Sequence, residues 1–251
     1  LAGSGTCAVE AMLKSFVNET DRVLVLSNGV YGERMFSMLE KDKKKVKNQK
    51  EDWLKDTDLD LLDAELNSGN FNKVVCVHNE TTTGRLNDIN SVLDICEKHS
   101  VKLLLDAVSS FGGEEINFQS PALLSVAATA NKCLHGITGA AFVISKNETF
   151  EESAGNSSSM YLDLYNYWVS QKDGWCPFTP SIHSLYSLQE ALNELEDLGG
   201  VRHRNKRYKE TARIIREQLA LHGVDLLIEE GSYSSMISSF YIPEKKSYKE
   251  I

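Results

Sequence analysis

The stretch VKLLLD, Val101 to Asp106, sets Leu103, Leu104 and Leu105 in an unbroken row and ends on a carboxylate. So continuous an apolar run suits a strand covered on both faces, as parallel sheets require, and not one with an alternating wet face. Three more runs have the same character: VLVLS, Val23 to Ser27; KVVCVH, Lys73 to His78; and AAFVIS, Ala140 to Ser145. Stretches with helical spacing lie between them. Cys7 to Val17 repeats apolar side chains at Val9, Met12, Leu13 and Phe16, and Asn90 to His99 repeats them at Val92, Leu93, Ile95 and Cys96. Strand and helix in alternation predict an α/β fold with a mostly parallel sheet between helices.

Outward from this core the pattern changes twice. KDKKKVKNQK, Lys41 to Lys50, carries six lysines around a single apolar Val46 and has acidic neighbours, which predicts an exposed turn or a weak edge strand. Beyond Ser153 the chain turns polar and small. Ser181 then opens a helix to Leu198 with Leu185, Leu188, Ala191, Leu192 and Leu195 in register, stopped by Gly199-Gly200. A further helix, Arg202 to His222, and strand candidates at Val224 to Ile228 and Met236 to Ile242 predict a smaller α+β domain that begins but does not finish. The expected division is a large domain over 1–184, and a linking helix with part of a C-terminal domain over 185–251. The chain opens on Leu1 with no Met and stops in an unfinished segment, so it reads as a fragment.

Composition narrows the partners. Lys and Arg number 27 against 36 Asp and Glu, a net charge of -9. Such a body repels a phosphate backbone, which directs attention away from nucleic acid and toward small molecules. No apolar run approaches the roughly 20 residues that span a bilayer, so no membrane is expected. Cys7, Cys76, Cys96, Cys133 and Cys176 are odd in number and contain no CxxC, which fits neither a disulfide framework nor a zinc site. A reducing, cytoplasmic setting follows, with any organelle-targeting segment outside these residues. His78, His135 and His183 come without convergent carboxylates, and no metal is assigned.

Three features carry chemistry. Gly3-Ser4-Gly5-Thr6 opens a helix, where backbone N–H groups, a hydroxyl and the helix dipole attract an anion; a plain Ser/Thr cap has the same appearance. No Gly-Lys-Ser/Thr follows, which disfavours a nucleotide loop. Asp106 ends its strand at the sheet's C-terminal edge, where a desolvated carboxylate wants a cation. Lys132, in AATANKC, sits among small residues, where an ammonium can become a nucleophile toward carbonyls. Taken singly, Asp106 also suits a helix cap and Lys132 a surface lysine. Together they supply a phosphate cup, a partner for a ring nitrogen and a covalent anchor, which is what pyridoxal 5'-phosphate needs.

GSGTCAVEAML, LSNGVYGER, VHNETTTGRLN, LLLDAVSSFGG and ATANKCLHGITG, in this order, resemble the fold-type I, class V aminotransferases, and the likeness continues through FTPSIHSLYSLQEALNELEDLGGVRHRNKRY. The resemblance implies a seven-stranded type of sheet, a pyridoxal-phosphate cofactor, and a homodimer that takes a small amino donor and a 2-oxo acid acceptor. It implies that Lys132 binds the cofactor and moves a proton, and that Asp106 pairs with the ring nitrogen. Ser4, Gly5 and Thr6 would hold the phosphate, Tyr31 would stack on the ring, and Thr81 would reach the ring hydroxyl. Thr179 would reach the phosphate in the neighbouring subunit. The activity implied is transfer of the amine of 2-aminoethylphosphonate to pyruvate. Alanine:glyoxylate or serine:pyruvate transfer and a truncated homologue without turnover stand as alternatives. The family's acid-binding arginine belongs to a C-terminal region beyond Ile251, and neither Arg34 nor Arg85 is assigned that role.

Overall fold

A computed structural model describes residues 1–243, and its elements follow the predicted alternation. The chain enters on a two-residue strand, β1 (Ala2–Gly3), and turns at once into α1 (Gly5–Phe16). It continues through β2 (Arg22–Ser27), α2 (Val30–Lys41), β3 (Lys45–Lys50), α3 (Leu59–Asn67) and β4 (Lys73–Val77). A short hairpin, β5 (Asn79–Glu80) and β6 (Arg85–Leu86), precedes α4 (Ile89–Lys98) and β7 (Lys102–Asp106). Then follow β8 (Leu123–Thr129), β9 (Gly139–Ser145), α5 (Asn147–Glu152), α6 (Leu164–Lys172), α7 (Ile182–Asp197) and α8 (Gly200–Leu221).

The main sheet has seven strands in the order β1-β9-β8-β7-β4-β2-β3. Strands β3, β2, β4, β7 and β8 run parallel, and β9 and β1 close one edge antiparallel. Alternation decides which side chain faces which layer. Val23, Val25, Val75, Val77 and Leu104 pack with α1 and α2, while Leu24, Leu26, Val74, Cys76, Leu103 and Leu105 pack with α3 and α4. Both faces are therefore dry, which explains the continuous apolar runs. The lysine-rich stretch is the edge strand β3, whose inner residue Gln49 is buried while its lysines reach solvent.

Two expectations change. LLSVAAT, Leu123 to Thr129, is the buried strand β8, not the start of a small-residue turn; Ala127 and Ala128 are fully buried between β7 and β9. Small side chains hid it from a reading based on bulky apolar runs. The segments at 224–228 and 236–242 do not form strands. They meet at one bridge, Leu226 to Phe240. The Tyr233 hydroxyl inserts there, accepting from the N–H groups of Leu227 and Ile228 and donating to the Ser239 carbonyl, while Leu227 N–H also reaches Ser239 O and Tyr241 N–H reaches Asp225 O. No helix among the described residues is long and apolar enough to cross a membrane.

Candidate active site

Asp106 is the last residue of β7 and only 6% exposed. Alternation turns it to the face of Leu104, toward α1 and α2. Val108 N–H donates to its Oδ1 at 2.9 Å. Its other oxygen has no hydrogen bond, and no Lys or Arg pairs with it, among the described residues. Burial pushes its pKa up to about 6; the Val108 hydrogen bond and Arg34 oppose that rise, and the charge of Glu80 adds to it. The carboxylate borders a small cavity with Thr6, Val9, Tyr31, Arg34, Met35, Met38 and Val108. A buried acid that has no cation partner among the described residues and borders a small cavity suits a ligand presenting a charged N–H.

The start of α1 lies beside it. Ser4 is the N-cap, but its side chain makes no capping bond. The N–H groups of Gly5 and Thr6 carry no hydrogen bond among the described residues, as the first turn of a helix leaves them. A Cβ on Gly5 would lie 2.3 Å from Val108 Cγ1. Only glycine lets this helix end approach the Asp106 loop so closely.

Tyr31 lies in the first turn of α2 and borders the same cavity. Its ring carries the Arg34 guanidinium 4.7 Å from its centroid, a cation–π contact. Thr81 is half-buried on the turn between β5 and β6 and does not border the Asp106 cavity. That turn is nonetheless tied to α2, because Val30 N–H donates to Thr82 Oγ1 at 3.1 Å.

Lys132 lies just past β8, the strand beside β7, where Asp106 pairs in register with Ala127. Its side chain is exposed, makes no hydrogen bond or ion pair among the described residues, and does not border the cavity. The turn around it is fixed from two sides. His135 N–H returns to the Lys132 carbonyl at 2.9 Å, and the buried Arg204 of α8 donates to the Cys133 carbonyl at 2.5 Å. Thr179 is exposed and borders a separate apolar groove with Phe142, Tyr161, Phe178 and Leu185. The structure thus gathers Gly5, Thr6, Tyr31 and Asp106, places Lys132 on the same sheet edge, and keeps Thr179 apart.

Sequence reading did not single out Arg204 or Glu80, and it named Arg34 only to leave it without the acid-binding role. Glu80 is 0% exposed, and its signal was present: it closely follows the apolar run KVVCVH much as Asp106 ends VKLLLD. Among the described residues, no cluster of His, Cys, Asp and Glu could hold a metal ion.

Comparison with known proteins places this arrangement. The family model for class V aminotransferases matches residues 2–246. The 2-aminoethylphosphonate–pyruvate transaminases of Salmonella paratyphi C and Salmonella typhimurium are each 35% identical over 254 residues, covering 99% of this chain and 69% of the relative. Among solved structures, alanine–glyoxylate aminotransferase from Nostoc sp. has a TM-score of 0.90 at 25% identity, covering 99% of this chain and 67% of its own. Pyridoxamine-pyruvate aminotransferase from Mesorhizobium loti has a TM-score of 0.89 at 21% identity, covering 99% and 65%, a likeness of fold. With the family model matched along nearly its whole length, the chain belongs to the class V aminotransferases.

Proposed function

We propose that the chain is a pyridoxal-phosphate-dependent transaminase that moves the amino group of 2-aminoethylphosphonate to pyruvate, giving phosphonoacetaldehyde and L-alanine. The observation that carries this is a buried Asp106 with no cation partner among the described residues, sharing a cavity with Thr6 and Tyr31, in a chain 35% identical to transaminases of that name. The donor set fits the cofactor. Asp106 would hold the protonated ring nitrogen, and the N–H groups of Gly5 and Thr6 with the hydroxyls of Ser4 and Thr6 would hold the phosphate. Tyr31 offers an aromatic face, Thr81 a hydroxyl for the ring oxygen, and Lys132 the covalent anchor. In a homodimer, Thr179 would serve the neighbouring subunit's phosphate. The acceptor and donor are both small molecules.

Pyridoxal phosphate, when bound, supplies an electron sink for a substrate carbon that loses its proton. The protein's part is to direct that proton. Lys132 Nζ, released when the substrate amine takes its place, would accept the proton from the carbon bearing the amine and, as its conjugate acid, deliver it to the cofactor carbon on the other side of that nitrogen. A charged N–H opposite Asp106 reverses what burial does to that side chain, drawing its pKa down and keeping the carboxylate ionised.

The test is spectroscopic and kinetic. Wild type incubated with pyridoxal phosphate should turn yellow, and borohydride should bleach it and fix the label on the Lys132 peptide. Lys132→Ala should take no label and lose activity by roughly 10²- to 10⁴-fold or more. A protein that stays colourless overturns the proposal. The likeness to alanine–glyoxylate aminotransferase favours a second reading, with an α-amino acid as donor. Turnover of alanine or serine without turnover of the phosphonate would select it.

A further inference from the structure

We propose that Glu80 is a positioning residue for this site: its buried carboxylate clamps the start of α2, which carries Tyr31, to the turn that carries Thr81. The inference rests on the proposed function, which assigns those two residues to the cofactor ring. Gly29, the N-cap of α2, supplies no side-chain cap. The first N–H groups of the helix are met instead from across the chain. Tyr31 N–H donates to Glu80 Oε2 at 3.2 Å and Gly32 N–H to the same oxygen at 3.3 Å. The other oxygen, Oε1, accepts from Thr82 N–H at 3.2 Å and from Thr82 Oγ1 at 2.6 Å. One carboxylate therefore joins two segments that are far apart in sequence.

Glu80 is fully buried and forms no ion pair among the described residues. A charge at that depth needs strong donors. The converging N–H and O–H groups and the positive end of α2 meet that need, since charge-assisted bonds and the helix dipole both favour an anion there. The backbone is shaped around it: a Cβ on Gly29 would lie 2.3 Å from Glu80 Cδ. Helix α2 could have been capped locally by a Ser or Asp at position 29. A glycine there and a glutamate on a distant turn do the same job while locking the turn to the helix.

The experiment compares wild type, Glu80→Ala and Glu80→Gln. Amide hydrogen exchange is read without cofactor, and pyridoxal phosphate affinity and the visible circular dichroism of the bound chromophore are read with it. In Glu80→Ala the amides of Tyr31, Gly32 and Thr82 should exchange faster while those of Val25 and Leu104 hold. Affinity for pyridoxal phosphate should fall by roughly tenfold to a hundredfold, the scale at which small misplacements act. Glu80→Gln keeps one acceptor oxygen and should fall between, with an altered dichroic band. If Glu80→Ala loosens the whole sheet, Glu80→Gln decides. Variants that bind with wild-type affinity and a wild-type band overturn the role, as do unchanged exchange rates at the three amides. A wild type that takes up no pyridoxal phosphate overturns the proposed function and this role with it.

Discussion

Two buried titratable side chains pull stability in opposite directions across the mildly acid range. Asp106 has its folded pKa raised to about 6 by burial, so the folded state gives up stability as pH climbs from about 4 through 6. His78, 4% exposed and 3.0 Å from Ser110 Oγ, is pushed by burial down to about 4. Its unfolded form picks up a proton near pH 6.5 that the folded form refuses, so its contribution is lost as pH falls through the same window. The two slopes nearly cancel in the cofactor-free wild type. Asp106→Asn removes one of them: at pH 7 it should be more stable than wild type by about 3 kcal/mol, the linkage value of a shift of this size. At pH 4 the two proteins should unfold alike, which urea titration at both pH values checks. Asp106→Asn should also lose most transaminase activity. Asp106 was legible because it ends an apolar strand. Glu80 also follows an apolar run, but its role could not be read from it, because what gives it meaning is a set of N–H groups 48 and 49 residues earlier in the chain.

At the scale of elements, packing is tight at the start of α1. Gly5→Ala would drive a methyl group into Val108, and overpacking of this kind costs about 1–3 kcal/mol. A lower urea midpoint with weaker pyridoxal phosphate binding is the expected result; an unchanged midpoint would mean that the Val108 loop yields freely. Most elements could be read from the chain, since α1, α4, β2, β4, β7 and α7 each announce themselves through periodicity or an unbroken apolar run. Strand β8 did not. Its buried Ala127, Ala128 and Ser125 look like turn residues until β7 and β9 close over them. The segments around Leu226 and Phe240 failed the other way: their composition suits strands, but among the described residues they meet at a single bridge with the Tyr233 hydroxyl set beside it.

Across the whole molecule, exposed large apolar side chains are scattered, with Leu221 at 77%, but three of the most exposed, Met160 at 79%, Trp175 at 74% and Tyr186 at 70%, fall in one sequence region, with Ile182 and Leu185 between the last two. Met160, Trp175 and Tyr186 adjoin in sequence Tyr161, Cys176 and Leu185, which line the groove that holds Thr179. Apolar exposure of this kind suits the interface that the proposed homodimer would need. If the proposed homodimer forms here, Trp175→Glu with Tyr186→Glu should shift sedimentation from dimer to monomer and weaken pyridoxal phosphate binding. A double variant that remains dimeric would place the contact elsewhere. The strand β1 pairs with β9 through Ala2 and Gly3 and passes into α1 with only Ser4 between. The rim of the sheet and the start of the helix are therefore joined by a single residue of backbone. Whatever frays the outermost strand also slackens the innermost grip, so wear at the margin and failure at the centre would arrive as one event.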